Sequence, residues 1–217
     1  MIKLLHKLPD SSKFHIAISG GVDSISAFHW LLAGNRRPFS IIHINHKTGE
    51  YADNCTKLVK ELASKHKIPF NFLQLKSKPP SYVSSEAWWR DRRYEFFNKV
   101  HKELGLELPI VLAHNLDDVL EQYIISTTIR IKSYKLISYN GPSNVIRPFL
   151  TWRKAEINRY AIQHNLKYLN DPTNYQSLYL RSNIRNQIVP ILTTLNPGLY
   201  KTIKKLLIDE AEVIKQT

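Results

Sequence analysis

The chemistry in this 217-residue chain is densest at Ser19-Gly20-Gly21-Val22-Asp23-Ser24. Paired glycines let a backbone turn tightly and let an anion approach it closely. Ser19 and Ser24 add hydroxyl donors. An apolar run, Phe14 to Ile18, precedes the turn, and Ile25, Phe28, Leu31 and Leu32 follow at helical spacing. Strand, glycine turn and helix start bring backbone N–H groups and the positive end of the helix dipole to one point, an arrangement that holds phosphate. Asp23 is the odd member, because a carboxylate beside phosphate repels it unless a cation lies between them. It implies Mg²⁺, an N-cap role, or both. The stretch fits neither GxxxxGK(S/T) nor GxGxxG, and no lysine stands in it to follow a terminal phosphate.

A second group is His114-Asn115-Leu116-Asp117-Asp118-Val119-Leu120-Glu121. Asp118 and Glu121 stand at i, i+3 and so share a helical face. Acids in a first turn offset the dipole, for about 0.3–1 kcal/mol each, with no ligand involved. Acids beside a phosphate loop would repel substrate phosphates, and become useful if they hold a cationic substrate or a metal. In Glu86-Ala87-Trp88-Trp89-Arg90-Asp91-Arg92-Arg93-Tyr94, Glu86 and Arg90 make an i, i+4 pair worth about 0.3–0.5 kcal/mol. Arg90 and Arg93 share a face, and guanidinium forks match phosphate oxygens. A solvated basic face with partly buried tryptophans fits the same residues. Arg147-Pro148-Phe149-Leu150, Asn170-Asp171-Pro172-Thr173-Asn174 and the i, i+4 pair Arg181/Arg185 complete the set, the last reading alone as a basic stripe on a capped helix. His43, His46 and His114 lack HxH or HExxH spacing, so hydrogen bonding suits them better than zinc.

The elements that must position these groups alternate. Strands are expected at 14–19, 39–45, 70–75 and 108–113, and helices at 23–33, 51–66, 84–104 and 116–130, with Ser84 or Ser85 capping the third. That order implies βαβ units and an α/β, doubly wound parallel sheet. Ligands of such sheets sit beyond the strands' carboxyl ends, where Ser19–Asp23, His43–His46 and His114–Asp118 fall. Residues 132–144 end in the turn signal Asn140-Gly141-Pro142 and are compatible with a loop or a hairpin. Beyond them Thr151 would cap a helix at 152–164. A polar connection, a helix at 180–194 and a last helix opened by Asn196-Pro197 follow. The organisation expected is a core over 1–130 with a helical extension of the same domain over 131–217.

With 43% hydrophobic residues the chain can bury a sizeable core. Its net charge of +13 suits a polyanionic partner such as nucleic acid, or a merely basic surface. The single cysteine, Cys55, excludes a disulfide framework, a Cys-rich zinc site and a chain-held iron–sulfur cluster, and speaks against sulfur transfer through a cysteine pair. The N-terminal MIKLLHKLPDSSK is too short in its apolar part for a signal peptide, and no run approaches the roughly 20 apolar residues of a membrane span. A cytoplasmic setting is the expectation.

SGGVDS resembles the pyrophosphate loop (PP-loop) of the ATP pyrophosphatases that adenylate a carbonyl oxygen. Together with HINH, Ala52-Asp53, EAWWRDRRY, AHNLDDVLEQ, IRPFL, NDPTN and RSNIRNQIVPIL, in that order over residues 14–196, it makes the chain similar to the bacterial tRNA(Ile)-lysidine synthetases. The resemblance implies an ATP-dependent ligase that adenylates C2 of cytidine 34 in an isoleucine tRNA with a CAU anticodon, and then lets the amine of free lysine displace AMP. It implies that Ser19, Gly20, Gly21 and Ser24 cradle ATP, with Asp23 acting through Mg²⁺ and Ile44 and Asn45 along the adenine. Asp118 and Glu121 would hold lysine, and His114 would orient the nucleotide or assist proton transfer. Arg90, Arg93, Arg147, Arg181 and Arg185 would contact pyrophosphate or tRNA phosphates. A sulfur-inserting enzyme of the same fold and a catalytically idle tRNA-binding protein are the alternatives. The sequence departs from the family pattern where Arg130 leads into Ile131-Lys132-Ser133-Tyr134-Lys135-Leu136 in place of a glycine-containing segment, at Asn115 in place of a second His, and at Ser182 in place of Asn. Many members continue into C-terminal tRNA-binding domains, so the resemblance implies a compact form, in which a homodimer could supply the missing grip.

Overall fold

The computed structural model describes residues 4–5, 8, 13–76, 79–80, 82, 85–105, 107–129, 136–137, 140–141, 143–171 and 180–216. In chain order its elements are β1 (His15–Ala17), α1 (Val22–Ala33), β2 (Ser40–Asn45), α2 (Glu50–Lys65), β3 (Phe70–Gln74), α3 (Ser85–Leu104), β4 (Ile110–Val111) and α4 (Leu116–Ile124). Then come β5 (Asn140–Gly141), β6 (Val145–Ile146), α5 (Lys154–Gln163), α6 (Leu180–Asn183), α7 (Val189–Leu195) and α8 (Leu199–Gln216). The strands form one sheet in the order β3-β2-β1-β4-β6-β5. Every pairing is parallel except β5 with β6. The fold is α/β and doubly wound, and the winding reverses between β1 and β4.

The inner strands carry apolar residues on both faces because helices cover both. Ile41, Val111 and Ile146 point to the side covered by α1, α2 and α5, where Phe28, Leu31, Val59 and Ile157 pack. Their neighbours Ile42, Ile110 and Val145 point the other way, onto Phe96, Phe97 and Val100 of α3. A separate cluster joins α4 to the C-terminal helices through Leu116, Leu120, Ile184, Ile203 and Leu207.

The paired segments are shorter than the apolar runs that mark them: β4 holds two residues of the expected 108–113. The turn signal at Asn140-Gly141 is a hairpin, and its second strand, β6, inserts beside β4. The region after residue 130 thus adds strands to the sheet as well as helices. The expected helix to residue 130 leaves α geometry at Ile125, and Ile125–Ile129 is a π-helical stretch. Ser126, Thr127 and Thr128 donate their hydroxyls to Tyr123 and Ile124 carbonyls, competing with the backbone ladder there. Ile184–Ile188 is also π-helical, just ahead of Pro190, which has no N–H to return to Asn186. Arg130, Ile131–Lys135, Ser84 and Pro172–Asn174 lie outside the described residues.

Three capping expectations are corrected. Gly21, in extended conformation, is the N-cap of α1, and Asp23 stands within the first turn. Helix α5 opens at Lys154 with Arg153 as its N-cap residue, and the Arg153 N–H donates to Glu156 at 2.8 Å. Thr151 is buried ahead of it. Helix α8 opens at Leu199, after a turn in which the Asn196 side chain accepts the Gly198 N–H at 3.0 Å.

Strand β1 carries a fully buried histidine. His15 Nδ1 bonds Ser40 Oγ at 2.7 Å, and its Nε2 has no partner among the described residues. Burial, and then the nearby His101, push His15 down to about 4. At about pH 5.5 the unfolded chain binds this proton and the folded chain does not, so protons favour unfolding. The stabilising contribution is present above 6.5 and is lost as pH falls towards about 4, at most roughly 3 kcal/mol over that window. Denaturant titrations from pH 7 to pH 4.5 should show stability falling, with a shallower fall in His15→Gln; an unchanged slope would remove His15 as the cause.

Candidate active site

The reversal between β1 and β4 leaves a crevice at the strands' carboxyl ends. A cavity of about 240 Å³ lies there. Ser19, Asp23 and Ser24 line it from the loop, Ile44 and His46 from the end of β2, Arg93 from α3, and His114 and Asp118 from the turn into α4. The loop keeps its shape through its own hydroxyls: the Ser19 N–H donates to Ser24 Oγ at 3.2 Å, and Ser24 Oγ donates to the Gly21 carbonyl at 3.1 Å. Gly20 has φ +97°, and a Cβ there would lie 2.9 Å from Cys55 Cβ, so α2 packs directly beneath the loop. The Gly20 carbonyl accepts the Leu169 N–H at 3.0 Å.

Histidine and asparagine at the end of β2 serve this framework. His43 Nδ1 donates to the Ile18 carbonyl at 2.7 Å, and its Nε2 meets Thr56 Oγ1 at 2.9 Å. Burial lowers its pKa, so the ring is neutral. The Asn45 amide donates to Asp53 at 2.8 Å and to Thr56 at 3.0 Å, while its oxygen accepts the Lys47 N–H. Ile44 thus faces the cavity, and the Asn45 side chain is bonded within the framework.

His114 is fixed from behind. Arg147 Nε donates to its Nδ1 at 3.2 Å, leaving the proton on Nε2, and Arg147 also donates to Tyr94 at 3.1 Å. Burial, then the charges of Arg147, Arg93, Arg181 and Arg90, hold His114 well below the usual histidine range. It is a neutral imidazole with one N–H to offer. Arg90 is exposed and lies 5.1 Å over the Tyr94 ring, outside the cavity lining.

The acids form a connected set. Asn115 caps α4, accepting the Asp117 and Asp118 N–H groups at 2.9 and 3.2 Å, while Asp118 Oδ2 accepts the Asn115 N–H at 2.8 Å. The Asn115 amide also donates to Asp23 Oδ1 at 3.3 Å, linking the two strand ends. Lys154 Nζ donates to Asp23 Oδ2 at 2.6 Å. Glu121, 1% exposed, accepts Arg185 Nε at 2.6 Å and its NH2 group at 3.1 Å, with Arg181 at 3.7 Å. Arg185 also stands 3.8 Å from Asp118 Oδ1. Burial raises Asp23, Asp118 and Glu121, against the opposing pull of Lys154 on the first, the Asn115 N–H and Arg185 on the second, and Arg185 on the third.

The structure therefore brings Ser19, Asp23, Ser24, Ile44, Arg93, His114 and Asp118 to one cavity. Gly20 and Gly21 shape its loop, and Arg147 and Glu121 stand behind it. Arg181 and Arg185, anticipated as phosphate contacts, are engaged by Gln122 and Glu121. Sequence reasoning missed Lys154, which is 131 residues from Asp23 and carries no local signal. It also passed over Asn115 as a bridge, although an Asn before two acids is a legible cap. Among the described residues no group of three or more His, Cys, Asp or Glu could hold a metal. A pair of carboxylates, Asp23 and Asp118, fits the way Mg²⁺ is held by one or two carboxylates plus substrate phosphates.

A family model described as a PP-loop domain matches residues 1–192. The bifunctional protein TilS/HprT of Listeria monocytogenes is 32% identical over 89% of this chain and 31% of its own length. The tRNA(Ile)-lysidine synthase of Streptococcus mutans is 34% identical over 85% of this chain and 43% of its own. The chain spans less than half the length of these curated relatives. Among solved structures, the U34-tRNA thiolase NcsA from Methanococcus maripaludis, with its [4Fe-4S] cluster, superposes with TM-score 0.72 at 20% identity, covering 94% of this chain and 74% of that one. That likeness concerns the fold.

The Glu121–Arg185 fork gives a stability test. Glu121→Ala leaves two guanidinium groups facing an empty pocket and should cost about 2–3 kcal/mol in urea unfolding, below the fully buried range because Arg185 is 44% exposed. Glu121→Met with Arg185→Met should cost clearly less than Glu121→Ala alone; equal losses would mean the fork contributes packing and no electrostatics.

Proposed function

The chain belongs to the PP-loop domain family, and from that premise we propose that it is an ATP-dependent ligase joining lysine to C2 of cytidine 34 in a CAU-anticodon isoleucine tRNA. The observation that carries the reading is that the serines and Asp23 of the Ser19–Ser24 loop share one cavity with Asp118. Amides and hydroxyls suit the triphosphate, and Asp118 suits an ammonium group that a phosphate site alone would repel. The names of the relatives and the +13 charge support a tRNA substrate acted on in the cytoplasm. Among the described residues no helix is long and apolar enough to cross a membrane.

In this reading the loop and the first-turn N–H groups of α1 hold the phosphates of ATP. The C2 oxygen of cytidine attacks the α-phosphorus, and pyrophosphate leaves. Asp23 is the carboxylate that would hold Mg²⁺, which when bound supplies charge neutralisation for the departing pyrophosphate. The lysine amine then attacks C2, and AMP leaves with the oxygen. Asp118 orients the lysine and, with a pKa raised by burial, is suited to take a proton from the attacking nitrogen. Arg185, held by Glu121 and 3.8 Å from Asp118, offers a counter-charge for the lysine carboxylate. His114 offers its Nε2–H to an oxygen of the nucleotide, and neutrality keeps it from competing with lysine as a cation.

The test incubates the protein with ATP, lysine and a CAU-anticodon isoleucine tRNA, then weighs the digested nucleosides. A lysine-sized gain on cytidine is expected, and pyrophosphate without that gain would turn the reading towards another acceptor. Asp118→Asn keeps a cap acceptor for the Asn115 N–H and removes the charge. It should raise KM for lysine by about 10- to 100-fold, as loss of one charge-assisted contact does, with KM for ATP changed far less.

A further inference from the structure

We propose that His29 and His164 form a two-imidazole site for a divalent transition-metal ion at the seam between α1 and α5, with Tyr160 as the residue that positions His29. The two rings come from different helices, and their centres are 4.9 Å apart with 45° between the planes. Neither histidine lines the cavity, so the site stands apart from the nucleotide reading. A cation about 2.0–2.1 Å from one nitrogen of each imidazole stands roughly 3.2 Å from each ring centre. Ligand angles of about 90–109° then separate the centres by roughly 4.5–5.2 Å, the range in which this pair falls.

The surroundings fix which atoms are offered. His29 Nδ1 is 2.8 Å from the Tyr160 hydroxyl oxygen. In the tautomer that donates Nδ1–H to that oxygen, Nε2 keeps its lone pair, and such a bond to the other ring nitrogen is the usual way a protein aims a metal-binding histidine. Burial raises the Tyr160 pKa, so it stays a phenol and orients rather than coordinates. Burial, then His164 and His66, lower the His29 pKa, so its ring is neutral near pH 7, the form that takes a metal. His164 is the C-cap residue of α5, four residues beyond Tyr160, and its ring centre lies 4.3 Å from the phenol ring. It is exposed, and among the described residues its ring makes no hydrogen bond, so its nitrogens are open to an ion. Imidazole nitrogen suits Zn²⁺, Ni²⁺ and Cu²⁺, whereas Mg²⁺ prefers oxygen, so this pair and Asp23 draw different ions.

The experiment titrates tag-free protein with Zn²⁺ in excess Mg²⁺ by isothermal calorimetry, and records the electron paramagnetic resonance of bound Cu²⁺. The wild type, His164→Ala and Tyr160→Phe are compared, with thermal midpoints in EDTA to check that each folds. The wild type should bind one Zn²⁺ that His164→Ala no longer takes up, and its Cu²⁺ spectrum should show coupling to two nitrogens where His164→Ala shows fewer. Tyr160→Phe should bind about 10- to 100-fold more weakly, as loss of a group that orients a ligand does. Saturating Zn²⁺ should raise the thermal midpoint of the wild type more than that of His164→Ala, because the ion ties α1 to α5. No Zn²⁺ uptake at millimolar concentration, or uptake that survives His164→Ala unchanged, would overturn the proposal. Full affinity in Tyr160→Phe would overturn the positioning role given to Tyr160.

Discussion

Two carboxylates of like charge, Asp23 and Asp118, line one small cavity, and the surrounding structure answers the difficulty this creates. Burial works against the ionised form of both. Asn115 answers with its backbone N–H to Asp118 and its side-chain amide to Asp23. Lys154 and Arg185 answer with charge. Because the compensating groups come from the β4–α4 turn, α5 and the π-helical stretch before α7, the site exists only when distant parts of the chain are packed together.

The sheet explains why these parts meet. With β1 and β4 adjacent and the winding reversed between them, the first turns of α1 and α4 both open over the same crevice. Helix α5 packs on α1 and delivers Lys154 to Asp23, while α8 packs on α4 and delivers Tyr200 to Asp117. Arg153 lies 3.8 Å over the Tyr200 ring and closes the same corner. The C-terminal helices thus brace the acids of the candidate site from outside the cavity lining.

Much of this was legible in the residues. The glycine pair, the two acids at i, i+3 and the alternation of apolar runs with helical stripes mark the strand ends that meet, because period and turn chemistry are local properties. Asn115 could have been read as a cap. Strand β6 was hidden because two residues, Val145 and Ile146, carry no period. The partners of Glu121 were hidden because an i, i+4 arginine pair looks the same whether it faces solvent or a buried carboxylate. Lys154 was hidden because nothing in a sequence ties residue 154 to residue 23.

The position of Cys55 bears on which nucleophile this site can accept. Sulfur transfer through the chain's own cysteine needs a thiol that can reach the activated base or hold a cluster. Cys55 is the chain's single cysteine and is 3% exposed. Its Cβ lies where a side chain on Gly20 would be, so it sets the height of α2 beneath the phosphate loop. Burial raises its pKa, which keeps the thiol protonated and unreactive. Moving it towards the cavity would remove the floor on which the loop's left-handed glycine rests. With the thiol committed to packing, Cys55 is not placed to attack a base in the cavity, and the carboxylates of Asp23 and Asp118 in its lining suit the lysine nucleophile proposed above.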